Sequence, residues 1–178
     1  MKRFVKFLSL AVATAIAVSV FTVNSYAMSA PAEAQRRDLT ADEIALLKTI
    51  FVADQYGRYY PDVVKELGNN PDVLFNHFVT FGIWEQRQPS VAFNVDAYAS
   101  RNLDLRPIFG DDIIAYYMHY CTTRNEWPNR KTPTKESALW NNETVYSVYD
   151  FVKGQTAPKK GAIPVMTPNN HPGVVIDQ

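Results

Sequence analysis

The chain has 178 residues, 47% of them apolar, with 18 basic against 18 acidic side chains and therefore no formal net charge. Balanced charge excludes the basic footprint that nucleic-acid binding demands. A single cysteine, Cys121, excludes an internal disulfide, so an apolar core has to hold the fold, and a buried, inert thiol is expected, with an intermolecular bridge as the alternative.

Residues 1–27 begin with Lys2, Arg3 and Lys6, run on as apolar chain to about Val23 and close on Ser25, Tyr26 and Ala27. That is the layout of a secretory signal peptide cleaved after Ala27, and its apolar run is short for a membrane anchor. Cleavage would leave 15 basic and 18 acidic residues, a net charge of −3, and no transmembrane segment. The expected location is secreted, or attached noncovalently to the cell surface. Residues 28–37 are small, polar and proline-bearing, and are expected to be flexible. Thr40 and Glu43 then form a capping box ahead of Ile44, Leu47, Ile50 and Phe51, predicting a helix that covers the open end of the following unit.

Residues 38–130 are expected to form a helical domain containing one unit written twice, at 51–87 and 93–130. Shifted by 42, Phe51, Asp54, Tyr56, Asp62, Gly68, His77 and Thr80 fall on Phe93, Asp96, Tyr98, Asp104, Gly110, His119 and Thr122. A period of this length marks a helical repeat array. In each unit Asp54 or Asp96 is expected to cap a helix bearing Tyr56 or Tyr98. A second short helix then ends at Gly68 or Gly110. The third helix of the first unit opens at Asn70 and Pro71, carries Leu74, Phe78 and Phe81, and closes at Gly82. Its counterpart opens at Asp111 or Asp112 and carries Ile113, Tyr116, Tyr117 and Tyr120.

The order aromatic-x-x-Asp-x-Tyr, Pro-Asp-Val, Gly, then His-Phe-x-x-x-Gly-x-x-Glu-x-Arg-x-Pro-Ser resembles the short tandem helical repeats of bacterial secreted and cell-surface proteins. The resemblance spans 51–130. It implies a surface location, alongside wall-active or adhesive functions, and no settled activity for the repeat. The chain departs from the pattern at Gln86, where the repeats carry glycine, and at Arg124, which replaces the closing glycine. One inserted residue is needed to align Trp127 with Trp84 and Arg130 with Arg87.

His77 and His119 occupy the same place in both units. They could serve as zinc ligands or bases, or could pack the helices by bonding to a backbone group or a neighbouring carboxylate; a residue needed once per unit points to packing. The acids Asp54, Asp62, Glu85, Asp96, Asp104 and Glu126 could form catalytic pairs, but caps and partners for Arg87 and Arg130 are the simpler roles. No nucleophile elbow, zinc helix, phosphate loop or calcium loop occurs, so neither a cofactor nor a metal is expected. Aromatic side chains are in surplus. Trp84, Trp127, Tyr59, Tyr60 and Tyr116 are candidate ligand-binding residues, with Tyr117 and Trp140 beside them.

After Arg130 the composition changes. Residues 131–134 are linker-like, 144–152 reads as a short strand or as the opening of a third unit, and from Thr156 to 178 extended or disordered chain is expected. The expected fold is all-α: two tandem repeats of short helices, an N-terminal cap helix and a largely irregular tail. The expected function is non-catalytic binding of a cell-wall glycan or an envelope protein. The alternatives are a small secreted hydrolase using the repeated histidines and carboxylates, and a subunit of a larger surface assembly.

Overall fold

A computed structural model describes residues 28–168; the segment read as a signal peptide and residues 169–178 lie outside the described residues. Within them the protein is all-α. Nine α-helices are joined by turns, and the only β pairings among the described residues are isolated bridges. No described helix is long and apolar enough to cross a membrane.

Residues 28–37 differ from expectation. They contain α1 (Ala30–Gln35), started by Ser29, whose side chain accepts from Ala32 N–H, with Pro31 in the first turn. Ala32 is small enough to be fully buried, and the Arg36 guanidinium lies 4.5 Å from the centre of the Phe81 ring. Helix α2 (Ala41–Lys48) has the capping box that Thr40 and Glu43 predict, with Thr40 N–H donating to Glu43 at 2.8 Å and Glu43 N–H to Thr40 Oγ1 at 3.2 Å. It lies against α8, burying Leu47 and placing Leu46 O near Cys121 Sγ at 3.7 Å, while Lys48 reaches Asp72 at 3.3 Å and the Phe75 ring of the first unit at 5.2 Å.

The first unit comprises α3 (Ala53–Tyr59), α4 (Pro61–Leu67) and α5 (Pro71–His77). Asn70 caps α5, and Gly68 ends α4 at φ 78°, a backbone angle that favours glycine. Beyond His77 the helix widens into a π turn over Phe78–Gly82, closed by Ile83 N–H donating to Phe78 O at 2.8 Å. The second unit comprises α6 (Val95–Arg101), α7 (Arg106–Phe109) and α8 (Ile113–Thr122), with Asp112, not Asp111, as the cap of α8.

Asp54 and Asp96 do not act as caps. Helix α3 starts at Val52, whose N–H donates to Pro89 O, and Asp54 is exposed in its first turn. Asn94 caps α6 instead, accepting from Ala97 N–H at 3.0 Å. Asp96 is buried and accepts from Gln86 Nε2 at 2.5 Å and Val148 N–H at 2.9 Å. Gln86 itself sits at φ 59°, a left-handed backbone angle that favours glycine. Its side chain also reaches Ser147 Oγ at 2.7 Å, and these bonds offset the strain of that angle.

An aromatic triangle forms the centre of each unit. Phe51, Tyr56 and Phe78 have ring centroids 5.1 to 5.7 Å apart, and Phe93, Tyr98 and Tyr120 have theirs 4.3 to 5.4 Å apart. Tyr117 on α8 touches both, lying 6.0 Å from Phe78 and 5.0 Å from Phe93.

The chain after Arg130 is mostly irregular, yet it is packed through Met166. It carries α9 (Lys135–Trp140) and a 3₁₀ turn at Val148–Asp150, while Val145 pairs with Met166 in a single bridge, so 144–152 is neither a strand nor a third unit's opening helix. Val145, Val148, Tyr149 and Phe151 are buried. The stretch after Thr156, expected to lack anything to bury, is tied back by Lys159 N–H to Asp150 O at 2.7 Å and by buried Met166.

Candidate functional site

The histidines are partnered within their own units. His77 Nδ1 lies 2.9 Å from Tyr56 Oη, and His119 Nδ1 lies 2.9 Å from Tyr98 Oη; neither bonds a backbone group or carboxylate through that nitrogen. Burial pushes His77 down to about 4, with the Arg87 charge adding to the effect, and burial likewise lowers His119. Both rings are therefore neutral at pH 7. The two pairs sit in separate units, and among the described residues no three His, Cys, Asp or Glu side chains converge as metal ligands would.

Each unit ends in an arginine clamp. Arg87 gives its forked nitrogens to Asp62 at 2.8 and 3.2 Å and its Nε to Glu85 at 2.6 Å. Arg130 does the same with Asp104 at 3.2 Å and Glu126 at 2.8 Å. Burial acts to raise the Asp62 carboxyl, but Arg87 outweighs it and holds the group below its ordinary value. That is the wrong direction for a proton donor in glycan hydrolysis.

The candidate aromatic residues do not form one surface. Trp84 is in the core, 1% exposed, with its Nε1–H lacking an acceptor among the described residues. Tyr116 is fully buried and donates to Gly110 O at 3.0 Å. Both are removed from the candidate ligand surface. Tyr59 is 42% exposed and, with half-buried Tyr60, borders a shallow hollow containing Asp62, Glu85 and Arg87. Trp140 is 91% exposed and lies on neither clamp.

Trp127 is the candidate that lines a defined recess, of about 280 Å³, with Tyr98, Tyr120, Arg130, Lys131 and the turn 132–134. Its ring stacks on Tyr120 at 4.5 Å and 9° between planes, and its Nε1–H donates to Tyr120 O at 3.0 Å. The aromatic wall is therefore held in place before any ligand arrives. Cations Arg130 and Lys131 stand at its rim, Lys131 paired with Glu143. Sequence reasoning missed Tyr98 and Tyr120 here because they read as core, and Lys131 because 131–134 read as linker.

No family model, curated protein or solved structure matches the chain.

Proposed function

We propose that the protein is an exported, non-catalytic binding module, built on a duplicated helical unit, that takes a glycan or protein of the cell envelope into the recess beside Trp127. The observation that carries this reading is the pre-ordered wall of Trp127 on Tyr120, open on one side and rimmed by Arg130 and Lys131. Flat, amphipathic walls of this kind suit recognition, because little freedom is lost when the ligand docks. The duplication is supported by the recurrence of the Tyr–His pair, the arginine clamp and the aromatic triangle in both halves. Hydrolysis is disfavoured because the acids beside the hollow are tied to arginine and the neutral histidines are tied to tyrosine.

The test is sedimentation of the purified protein with bacterial envelope fragments, either intact or stripped of protein, beside Trp127→Ala. Wild type should sediment with one of the two preparations and Trp127→Ala should remain in solution, while both give similar thermal melts. Wild type left in solution with both preparations would sink the binding reading. Soluble sugar released from the fragments would replace it with the hydrolase.

A further inference from the structure

The two units differ at one position next to Tyr98 and Arg130, which line the recess. In the first unit Tyr60 lays its ring against Tyr56, with centroids 4.8 Å apart. The Arg87 guanidinium sits 4.7 Å from the Tyr60 ring centre, and the Tyr60 hydroxyl accepts from Gln88 N–H at 2.7 Å. Shifted by 42, Tyr60 falls on Asn102. The two backbones agree, with φ −125° and ψ 69° at Tyr60 against φ −109° and ψ 83° at Asn102, so both side chains leave the chain in the same direction. Asn102 is too short to occupy the ring's place. It folds back, donating to Tyr98 O at 2.8 Å and accepting from Arg130 at 3.1 Å.

Three of the groups that hold the Tyr60 ring nevertheless have counterparts in the second unit. Tyr98 corresponds to Tyr56, Arg130 to Arg87 and Lys131 to Gln88, and all three line the recess. Arg130 is fixed by Asp104 and Glu126 as Arg87 is by Asp62 and Glu85. The Lys131 N–H makes no hydrogen bond among the described residues, whereas the Gln88 N–H is used by the Tyr60 hydroxyl.

We infer that the recess is a ready-made socket for a phenol ring, and that its occupant is a tyrosine side chain of a partner polypeptide. The ring takes the place that Tyr60 fills in the first unit: one face toward Tyr98, the other under the Arg130 guanidinium, the hydroxyl on Lys131 N–H. An arginine over the ring favours a π face over the saturated face of a sugar. The recess extends past this position to Trp127, Pro133 and Thr134, which leaves room for the chain that carries the tyrosine. The inference rests on the reading of the Trp127 recess as the binding site, and it selects the protein over the glycan as the envelope component bound.

The test uses p-cresol, toluene, N-acetyltyrosinamide and N-acetylglucosamine, with the Lys131 amide and Trp127 indole resonances of the full chain as reporters. p-Cresol and N-acetyltyrosinamide should shift both signals at saturable concentrations, and toluene should bind about tenfold more weakly, since it leaves the Lys131 N–H without an acceptor. Asn102→Tyr should close the socket with its own ring, abolishing the shifts while raising the melting temperature; Asn102→Ala should leave the socket open and still bind. Equal binding of toluene, or undiminished binding by a folded Asn102→Tyr, would overturn the phenol socket. Exclusion of N-acetyltyrosinamide while p-cresol binds would overturn the tyrosine as its source. Shifts from N-acetylglucosamine alone would overturn the inference but leave envelope binding standing. Phenol binding without sedimentation on envelopes would do the reverse.

Discussion

Tyr56 and His77 hold one another by a hydrogen bond in a site where His77 is only 6% exposed, so removing the hydroxyl leaves a buried ring nitrogen without a partner. Tyr56→Phe should cost about 1–3 kcal/mol for that reason. Tyr98→Phe should cost less, about 1 kcal/mol, because Thr123 Oγ1 stands 3.3 Å from His119 Nδ1 and can take over. Urea unfolding of the two variants checks the order, and an equal or reversed ranking would show that the pairs are not the packing device described. Two buried groups shift stability with acid in opposite directions. His77 has a folded value of about 4 against an ordinary 6.5, so its contribution is complete above pH 6.5 and is lost as pH falls toward 4. Asp96 is pushed by burial up to about 6 from an ordinary 3.8, so the fold holds that proton more tightly than the unfolded chain and gains stability over the same descent. Each effect is about 3 kcal/mol, and the two oppose one another. Asp96→Asn keeps an acceptor for Gln86 and Val148 but cannot titrate. It should be more stable than wild type at pH 8 and should lose stability more steeply than wild type between pH 6.5 and 4 in denaturant titrations.

Elements fixed by neighbours in the chain were legible, and elements fixed by distant packing were not. The capping box at Thr40, the Asn70 cap with Pro71, and the helix ends at Gly68 and Gly110 are local chemistry, and each is where the residues predict. By contrast, Asp54 and Asp96, aligned by the 42-residue shift, have opposite fates, exposed and buried, because only Asp96 meets the C-terminal segment through Val148. Trp84 and Trp127 diverge in the same way: Tyr149 donates to Trp84 O and helps seal the first, while the second faces the recess. Even α1 is legible only in part, since Ser29 and Pro31 can start a helix but the pocket that receives Ala32 belongs to the tertiary fold. The π turn at Phe78–Gly82 is likewise a packing feature. A Cβ at Gly82 would collide with Tyr56 Oη, the atom bonded to His77. Gly82→Ala should therefore destabilise by about 1–3 kcal/mol, although alanine is the better helix former. Combining it with Tyr56→Phe, which removes the obstructing oxygen, should cost clearly less than the sum of the two. Additive costs in the double-mutant cycle would mean that the glycine serves some other contact.

At the scale of the molecule, the segment after Arg130 is the part whose role composition hides. Prolines and polar residues make it read as a linker and tail, yet it supplies side chains that complete the second unit. Arg101 reaches Glu143 at 2.6 Å, and Arg106, buried without a carboxylate partner among the described residues, donates to Thr156 O at 2.7 Å and stacks over Phe151 at 4.4 Å. Tyr149 donates to Trp84 O at 2.8 Å, so the same segment also closes the first unit. Val145, Val148, Tyr149 and Phe151 together represent several side chains at roughly 1.5–3 kcal/mol of burial each, which is comparable to the entire net stability of a domain this size. A chain ending at Arg130 should therefore show no cooperative thermal transition and poorly dispersed amide resonances, despite retaining residues 51–130 whole. Phe151→Ala in the full chain should keep a single transition but lower stability by about 3–5 kcal/mol, because it opens a cavity beneath the Arg106 guanidinium. Were the shortened chain to melt cooperatively within a few degrees of the whole, the units would be self-sufficient and the C-terminal segment an appendage. A loss of folding would instead make it the part that holds the two halves in one cooperative structure.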